Sequence, residues 1–206
     1  MIDGGSSDGT PAVAASWADK GARVIESTPG RGRQLEAGAR ESHGDALIFL
    51  HADTWLDPQA GAALAQALAR PAIVGGCFKL ALRGPSTHRL VSRLLTAAIN
   101  ARTRAFRTAT GDQAIFCRRD AYERLGGFTN DDLFEDVIFY RRLRRLGELA
   151  FLEPPVRTSD RRWRVNGYLR TIATHLAFRL LFLLGVSPER LARLYRDTGE
   201  LNKRKY

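Results

Sequence analysis

The chain has 206 residues, 44% of them apolar and 26% charged, which fits one globular domain with a substantial core and excludes a disordered or low-complexity chain. The net charge is +10, and only Lys20, Lys79, Lys203 and Lys205 among the 32 basic residues are lysines. Arginine therefore carries the charge, and its planar fork suits phosphate oxygens, anionic lipid or nucleic acid, or serves simply as a solvated cation.

In chain order, Ile2 reads as the end of a strand that runs into the turn Asp3 to Gly9. A helix over 12–19 follows, with Pro11 in its first turn. Next come a strand over 22–26, a helix over 33–42 and a buried, non-alternating strand over 46–50. A helix over 58–69, a strand over 73–82 and a basic helix over 86–102 complete the first half. The second half opens with a strand over 114–117 and a helix over 120–125 that Gly126-Gly127 would stop. It continues with a helix over 133–146, a strand over 149–152 ahead of Pro154-Pro155, and helices over 166–184 and 188–195. This alternation predicts an α/β fold with a mostly parallel sheet flanked by helices. No linker or repeat divides the chain, so 1–206 is expected to be one domain, with 164–206 as its C-terminal helical extension. The sequence opens at the end of a strand, as though an earlier strand and helix were missing.

Cys77 and Cys117 sit in apolar stretches without CxxC spacing and read as buried free thiols. The longest apolar stretch, 171–186, is interrupted by His175 and Arg179 and is too short and polar for a membrane span. No secretory signal precedes the turn, so the expected location is the cytoplasm.

Four groups of residues carry possible chemistry. His51-Ala52-Asp53 ends the most apolar strand, where open α/β sheets bind ligands. Asp53 there can hold a hard divalent cation against a diphosphate, or cap the following turn. His51 can be a second metal ligand, a donor to phosphate or a satisfied strand-end histidine. The loop Asp3 to Thr10, with Gly5 and Ser7, lets backbone approach an anion, as would any tight strand-to-helix turn. Glu135 and Asp136 at a helix start are either dipole-favoured charges or hold a general base for an acceptor hydroxyl. Arg161-Arg162-Trp163 suits a diphosphate or a sugar face, or is a solvated Arg pair beside a core Trp.

Their order resembles the family 2 glycosyltransferases of the GT-A (Rossmann-like) fold. The matching stretches are IDGGSSDGT (2–10), GRGRQLEAGA (30–39), FLHADT (49–54), GDQAIFCRRDAYERLGGF (111–128), LFEDVIFYRRLRRLG (133–147) and RRW (161–163). Together they run from residue 2 to about residue 195. Within the family, GDQAIF and GVSPERLARLY are most similar to a bacterial subgroup labelled arsenosugar-biosynthesis glycosyltransferases. The resemblance implies that Asp3 contacts the uridine of a UDP-sugar donor, and that Gly5, Ser7, Arg31 and Arg33 line the nucleotide pocket. It implies that Asp53 holds Mn2+ or Mg2+ on the diphosphate, with His51 in place of the usual first Asp of that motif. Gly111, Asp112 and Gln113 would face the acceptor, Asp136 with Glu135 would supply the catalytic base, and Arg162 and Trp163 would lie near the pyrophosphate. The implied reaction is a metal-dependent inverting displacement onto an acceptor hydroxyl.

Two departures stand out. Glu36 occupies a position where relatives often carry Asn, and the family's first donor-binding strand has no counterpart. A catalytically impaired interaction module of the same fold is therefore one alternative, and a basic nucleic-acid-binding protein is another. No nucleic-acid-binding motif is present, so no specific nucleic acid is expected as a partner. The expected partners are a nucleotide-sugar and a small-molecule or lipid-linked acceptor. The amphipathic stretch 168–184, with Arg170 and Arg179, would allow peripheral contact with the inner membrane face, or pack as a core helix with a basic outer side.

Overall fold

The computed structural model describes residues 1–84, 89–128 and 133–203, with side chains through Tyr195. Its elements are β1 (Ile2–Asp3), α1 (Thr10–Ala15), β2 (Ile25–Glu26), α2 (Arg31–Arg40), β3 (Ala46–Ile48) and β4 (Thr54–Trp55). They continue with α3 (Ala60–Leu68), β5 (Ile73–Arg83), α4 (Arg89–Phe106), β6 (Phe116–Arg118), α5 (Arg119–Leu125) and α6 (Glu135–Leu143). The chain then runs through β7 (Glu148–Ser159), α7 (Arg161–Asn166), α8 (Tyr168–Leu183) and α9 (Pro188–Lys203). The predicted start of the basic helix, 86–88, lies outside the described residues.

The sheet corrects the expectation of mostly parallel strands. Its order is β3-β6-β5-β7-β4, and β5 runs parallel to β7 while the β3–β6, β6–β5 and β7–β4 pairs are antiparallel. β1 and β2 form a separate parallel pair. A strand covered on both faces reads as one apolar run whatever its direction, so the sequence signals burial and not polarity of pairing. β5 is such a strand. Cys77 packs into one core with Phe49, Tyr122, Phe128 and Phe139, whereas Phe78 and Leu80 enter the opposite core with Phe116 and Val156.

Several boundaries move for local reasons. The Pro154-Pro155 pair does not end β7. The strand passes through the cis Glu153–Pro154 bond, with a register shift opposite Phe78–Leu80, and resumes pairing at Val156. The helix expected over 166–184 is α8, which starts only after Gly167 (φ +80°), and a separate short helix, α7, precedes that glycine. Gly126 stops α5 in the left-handed conformation as expected, at φ +68°.

Arginine acts structurally here as well. Arg119 donates to the carbonyls of Ser42 (2.8 Å) and Gly44 (2.7 Å), and Arg142 donates to the Gly127 carbonyl (3.1 Å). Glu36 accepts from the Tyr122 hydroxyl and from the Phe128 amide (3.2 Å), so this departure from the resembled pattern ties α2 to the end of α5. Cys77 and Cys117 are buried free thiols.

Gly75 and Gly76 let β5 pass closely between β6 and β7. A Cβ at Gly76 would collide with the Ala150 carbonyl and come within 2.8 Å of the Phe116 ring. Gly76→Ala is expected to cost about 3 kcal/mol in denaturant unfolding, the upper range of overpacking.

Candidate active site

Arg31 organises the site. It opens α2 directly after Gly30, whose φ of +140° permits the entry turn. Its Nε is 3.0 Å from Glu135 Oε1 and its Nη2 is 3.8 Å from Asp136 Oδ2. The same Nη2 donates to His51 Nε2 at 3.1 Å. Because a guanidinium only donates, His51 Nε2 is the accepting nitrogen and the neutral ring carries its proton on Nδ1. Burial, followed by the Arg31 charge, lowers the His51 pKa and favours that neutral form.

Asp136 joins a third segment. Its Oδ2 accepts from the Gly111 amide at 2.6 Å and its Oδ1 from Val137 at 2.7 Å. Gly111 is required there, because a Cβ would collide with the His51 ring. Residues from α2, the loop after β3, the 3-10 turn Gly111–Gln113 and the start of α6 thus meet through hydrogen bonds and ion pairs. Two non-glycine residues flank this junction in the left-handed region, Ala114 (φ +46°) and Phe134 (φ +64°). Such backbone costs on the order of 1–3 kcal/mol each and needs support from its surroundings. Phe134 is stacked on Phe182 of α8 at 4.8 Å.

The remaining predicted residues separate into two kinds. Glu135 is fully buried, so its carboxylate holds Arg31 and does not face an acceptor. Gln113 is also fully buried. Its amide accepts from Thr103 Oγ1 (3.1 Å) and the Thr110 amide (3.3 Å) and donates to the Phe78 carbonyl (3.3 Å), so it braces the turn. Asp112 is capped by the Thr110 hydroxyl. Asp3 folds its own loop, accepting from the amides of Gly5 and Ser6 at 2.9 Å and from Ser6 Oγ at 2.6 Å. The Ser6 hydroxyl and amide thereby hold the Asp3 carboxyl below the usual carboxylate range. Ser7 and Gly5 are exposed on that loop.

Asp53 is exposed, with its backbone carbonyl fixed by the Ser159 amide at 3.0 Å. Among the described residues, no group of three or more His, Cys, Asp or Glu side chains is placed to hold a metal. A single open carboxylate still fits a hard divalent ion whose other ligands are diphosphate oxygens and water. His51 Nε2 is committed to Arg31, which leaves Asp53 as the carboxylate suited to that role. Trp163 on α7 packs edge-on to His175 of α8 at 5.3 Å, and Arg162 beside it is exposed and forms no ion pair among the described residues.

A cleft of about 250 Å³ lies against Arg31, lined by Pro29, Gly30, Arg33, Leu133, Ala192 and Tyr195. Tyr195 and Arg102 carry no site signal in the sequence, Arg102 because it looks like the basic side of an amphipathic helix. Arg179 did leave a signal, as a charge within an apolar run.

Residues 1–95 match the model of the family described as Glycosyl transferase family 2. No curated protein matches the chain. The fold is similar to glucosyl-3-phosphoglycerate synthase from Mycobacterium tuberculosis, in a complex with Mn2+, UDP-glucose and phosphoglyceric acid. The TM-score is 0.51 and the identity 23%, over 77% of this chain and 57% of that one. It is also similar to the mannosyltransferase PcManGT from Pyrobaculum calidifontis, in a complex with GDP-Man and Mn2+. Here the TM-score is 0.58 and the identity 22%, over 91% of this chain and 55% of that one. The chain thus spans a little over half the length of both structures. At these identities the likeness establishes the fold, an α/β domain of the GT-A type with a mixed sheet.

Two variants test the site's construction. Arg31→Met leaves a buried carboxylate unpaired by its guanidinium and is expected to cost about 2–3 kcal/mol, reduced by Arg31's partial exposure. Adding Glu135→Gln should recover most of that loss in thermal or denaturant unfolding. Gln113→Ala strands several buried partners and is expected to cost on the order of 2–4 kcal/mol in the same assay.

Proposed function

We propose that the chain is a glycosyltransferase that moves a sugar from a nucleotide-diphosphate sugar, with UDP the expected nucleotide, to an acceptor hydroxyl. The observation that carries this reading is the convergence on Arg31 of His51, Gly111 and the Glu135–Asp136 pair, beside an open cleft. These are the stretches whose order resembles family 2, and the family match over residues 1–95 takes in Arg31 and His51 among them. The narrower arsenosugar subgroup rests on the GDQAIF and GVSPERLARLY stretches alone. The chain is read as one domain with the helices from residue 164 as its extension.

In this reading the nucleotide occupies the cleft at Gly30–Arg33, beside the Asp3 loop. Asp53 would hold Mn2+ or Mg2+, which when bound neutralises charge on the diphosphate. Arg162 reaches the departing diphosphate from α7. Asp136, which the Gly111 and Val137 amides hold in place, takes the proton of the acceptor hydroxyl. The acceptor oxygen forms its bond to the anomeric carbon as the bond to the donor phosphate oxygen breaks, inverting that carbon. Glu135 acts through Arg31 as a positioning residue.

Calorimetric titration with UDP tests the donor half. Binding should require Mn2+, and Asp53→Ala should weaken it at least tenfold without unfolding the chain. A folded chain that binds no UDP would overturn the reading in favour of a non-catalytic module. Asp136→Asn keeps an oxygen for the Gly111 amide, and should slow hydrolysis of UDP-glucose to water by about 100-fold or more while UDP affinity holds.

A second reading concerns location, and α8 is the observation that favours it. Leu169, Leu176, Leu180 and Leu183 recur at spacings of seven, four and three residues and are 57% exposed or more, a helical stripe beside Arg170. No helix among the described residues is long and apolar enough to cross a membrane, so this stripe would lie along an anionic surface and not span it. Flotation with phosphatidylglycerol vesicles at low salt should carry the protein, and Leu176→Glu with Leu180→Glu should abolish it.

A further inference from the structure

Two arginines of the site lie near Asp112 and Asp136 but form no ion pair with either among the described residues. Arg102 on α4 is half-buried, and its Nε and Nη2 are out of contact with water and without a hydrogen-bond partner among the described residues. Arg179 on α8 is also half-buried and, among the described residues, donates to the Thr108 hydroxyl at 2.8 Å. Neither forms an ion pair among the described residues. The nearby carboxylates are otherwise engaged, Asp112 by the Thr110 hydroxyl and Asp136 by the Gly111 and Val137 amides with Arg31 near it.

Both arginines flank the turn whose Gly111 amide holds the proposed base, Asp136. Arg102 precedes Thr103, which bonds Gln113 at one end of the Gly111–Gln113 turn, and Arg179 bonds Thr108 just ahead of it. Burial, followed by the nearby Arg179 charge, lowers the Arg102 pKa, and Asp112 and Asp136 offset this only in part. Desolvating two like charges together is unfavourable unless an anion completes the arrangement. Two guanidinium forks from different helices suit the several oxygens of a phosphate.

We propose that Arg102 and Arg179 form a subsite for a phosphate group on the acceptor, placed so that the acceptor's hydroxyl meets Asp136. Its assignment to the acceptor rests on the glycosyltransferase reading, whereas the anion site itself does not. A purely structural Arg102 would be expected to show a carboxylate or carbonyl partner, as Arg119 and Arg142 do.

The test uses the whole chain saturated with UDP and Mn2+, with inorganic phosphate as the probe in calorimetry and in thermal unfolding. One phosphate should bind per chain without displacing UDP and should raise the melting temperature. Arg102→Met should weaken phosphate at least tenfold and abolish its thermal effect, while leaving UDP affinity unchanged. In phosphate-free buffer the same variant should melt no lower than the parent, because it removes an unpaired buried charge. Arg179→Gln should weaken phosphate in the same direction. Phosphate that competes with UDP would overturn the proposal, placing both arginines in the donor's diphosphate site. Phosphate affinity unchanged in Arg102→Met, or no phosphate binding by the parent chain, would also overturn it. Arg102-dependent phosphate binding by a chain that binds no UDP would uphold the anion site and sink the glycosyltransferase reading instead. Vesicles containing phosphatidylglycerol distinguish the source. Flotation lost in Arg102→Met supports a lipid-linked phosphate, and flotation unaffected by it, with inorganic phosphate still bound, supports a soluble phosphorylated acceptor.

Discussion

The ion pair between Arg31 and the fully buried Glu135 is the constraint on which the site depends. A carboxylate taken out of water is tolerable only with a cation and hydrogen bonds in place, so the start of α2 and the start of α6 must be held at one separation. Arg31 then has its remaining donors fixed in direction, toward Asp136 and toward His51. One guanidinium thereby relates three segments that are distant in sequence. Nothing in the propensities of those segments would hold them together without it.

The sheet makes this junction possible. β3 leads into His51 and Asp53, β6 follows the Gly111–Gln113 turn, and the two strands pair directly. The turn is consequently carried to the end of β3, where Gly111 meets the His51 ring. Strained backbone at Ala114 and Phe134 borders the same point, and the cores on both faces of β5 supply the packing that offsets it. The α8 helix adds a second tie through Phe182 on Phe134 and Arg179 on Thr108. The helices after residue 160 are therefore part of how the site is held.

Much of this was legible in the sequence. The strand ends at His51 and the Gly126 stop follow from local chemistry, and the order of the acidic and glycine-containing stretches pointed to one site. What the sequence hid is pairwise. Strand direction left no trace, because buried strands read alike in either sense. Pro154-Pro155 looked like a terminus because a bulge that re-establishes pairing beyond it depends on β5. Glu135 looked like part of the catalytic base and Gln113 like an acceptor contact, and only burial shows one clamping Arg31 and the other bracing a turn. Glu36 likewise gains its meaning from Tyr122 and Phe128. Arginine was the least legible residue of all, since carbonyl clamps, ion pairs and open guanidinium groups share one letter.

The central claim is that the cleft beside Arg31 is a nucleotide-sugar donor site completed by Asp53. The measurement that meets it most directly is a crystal structure of the chain grown with UDP and Mn2+. The account predicts uridine and diphosphate density along Gly30–Arg33, with the metal bound to the Asp53 carboxylate and to diphosphate oxygens. Well-ordered crystals with UDP bound elsewhere, or with the metal on groups other than Asp53, would contradict it.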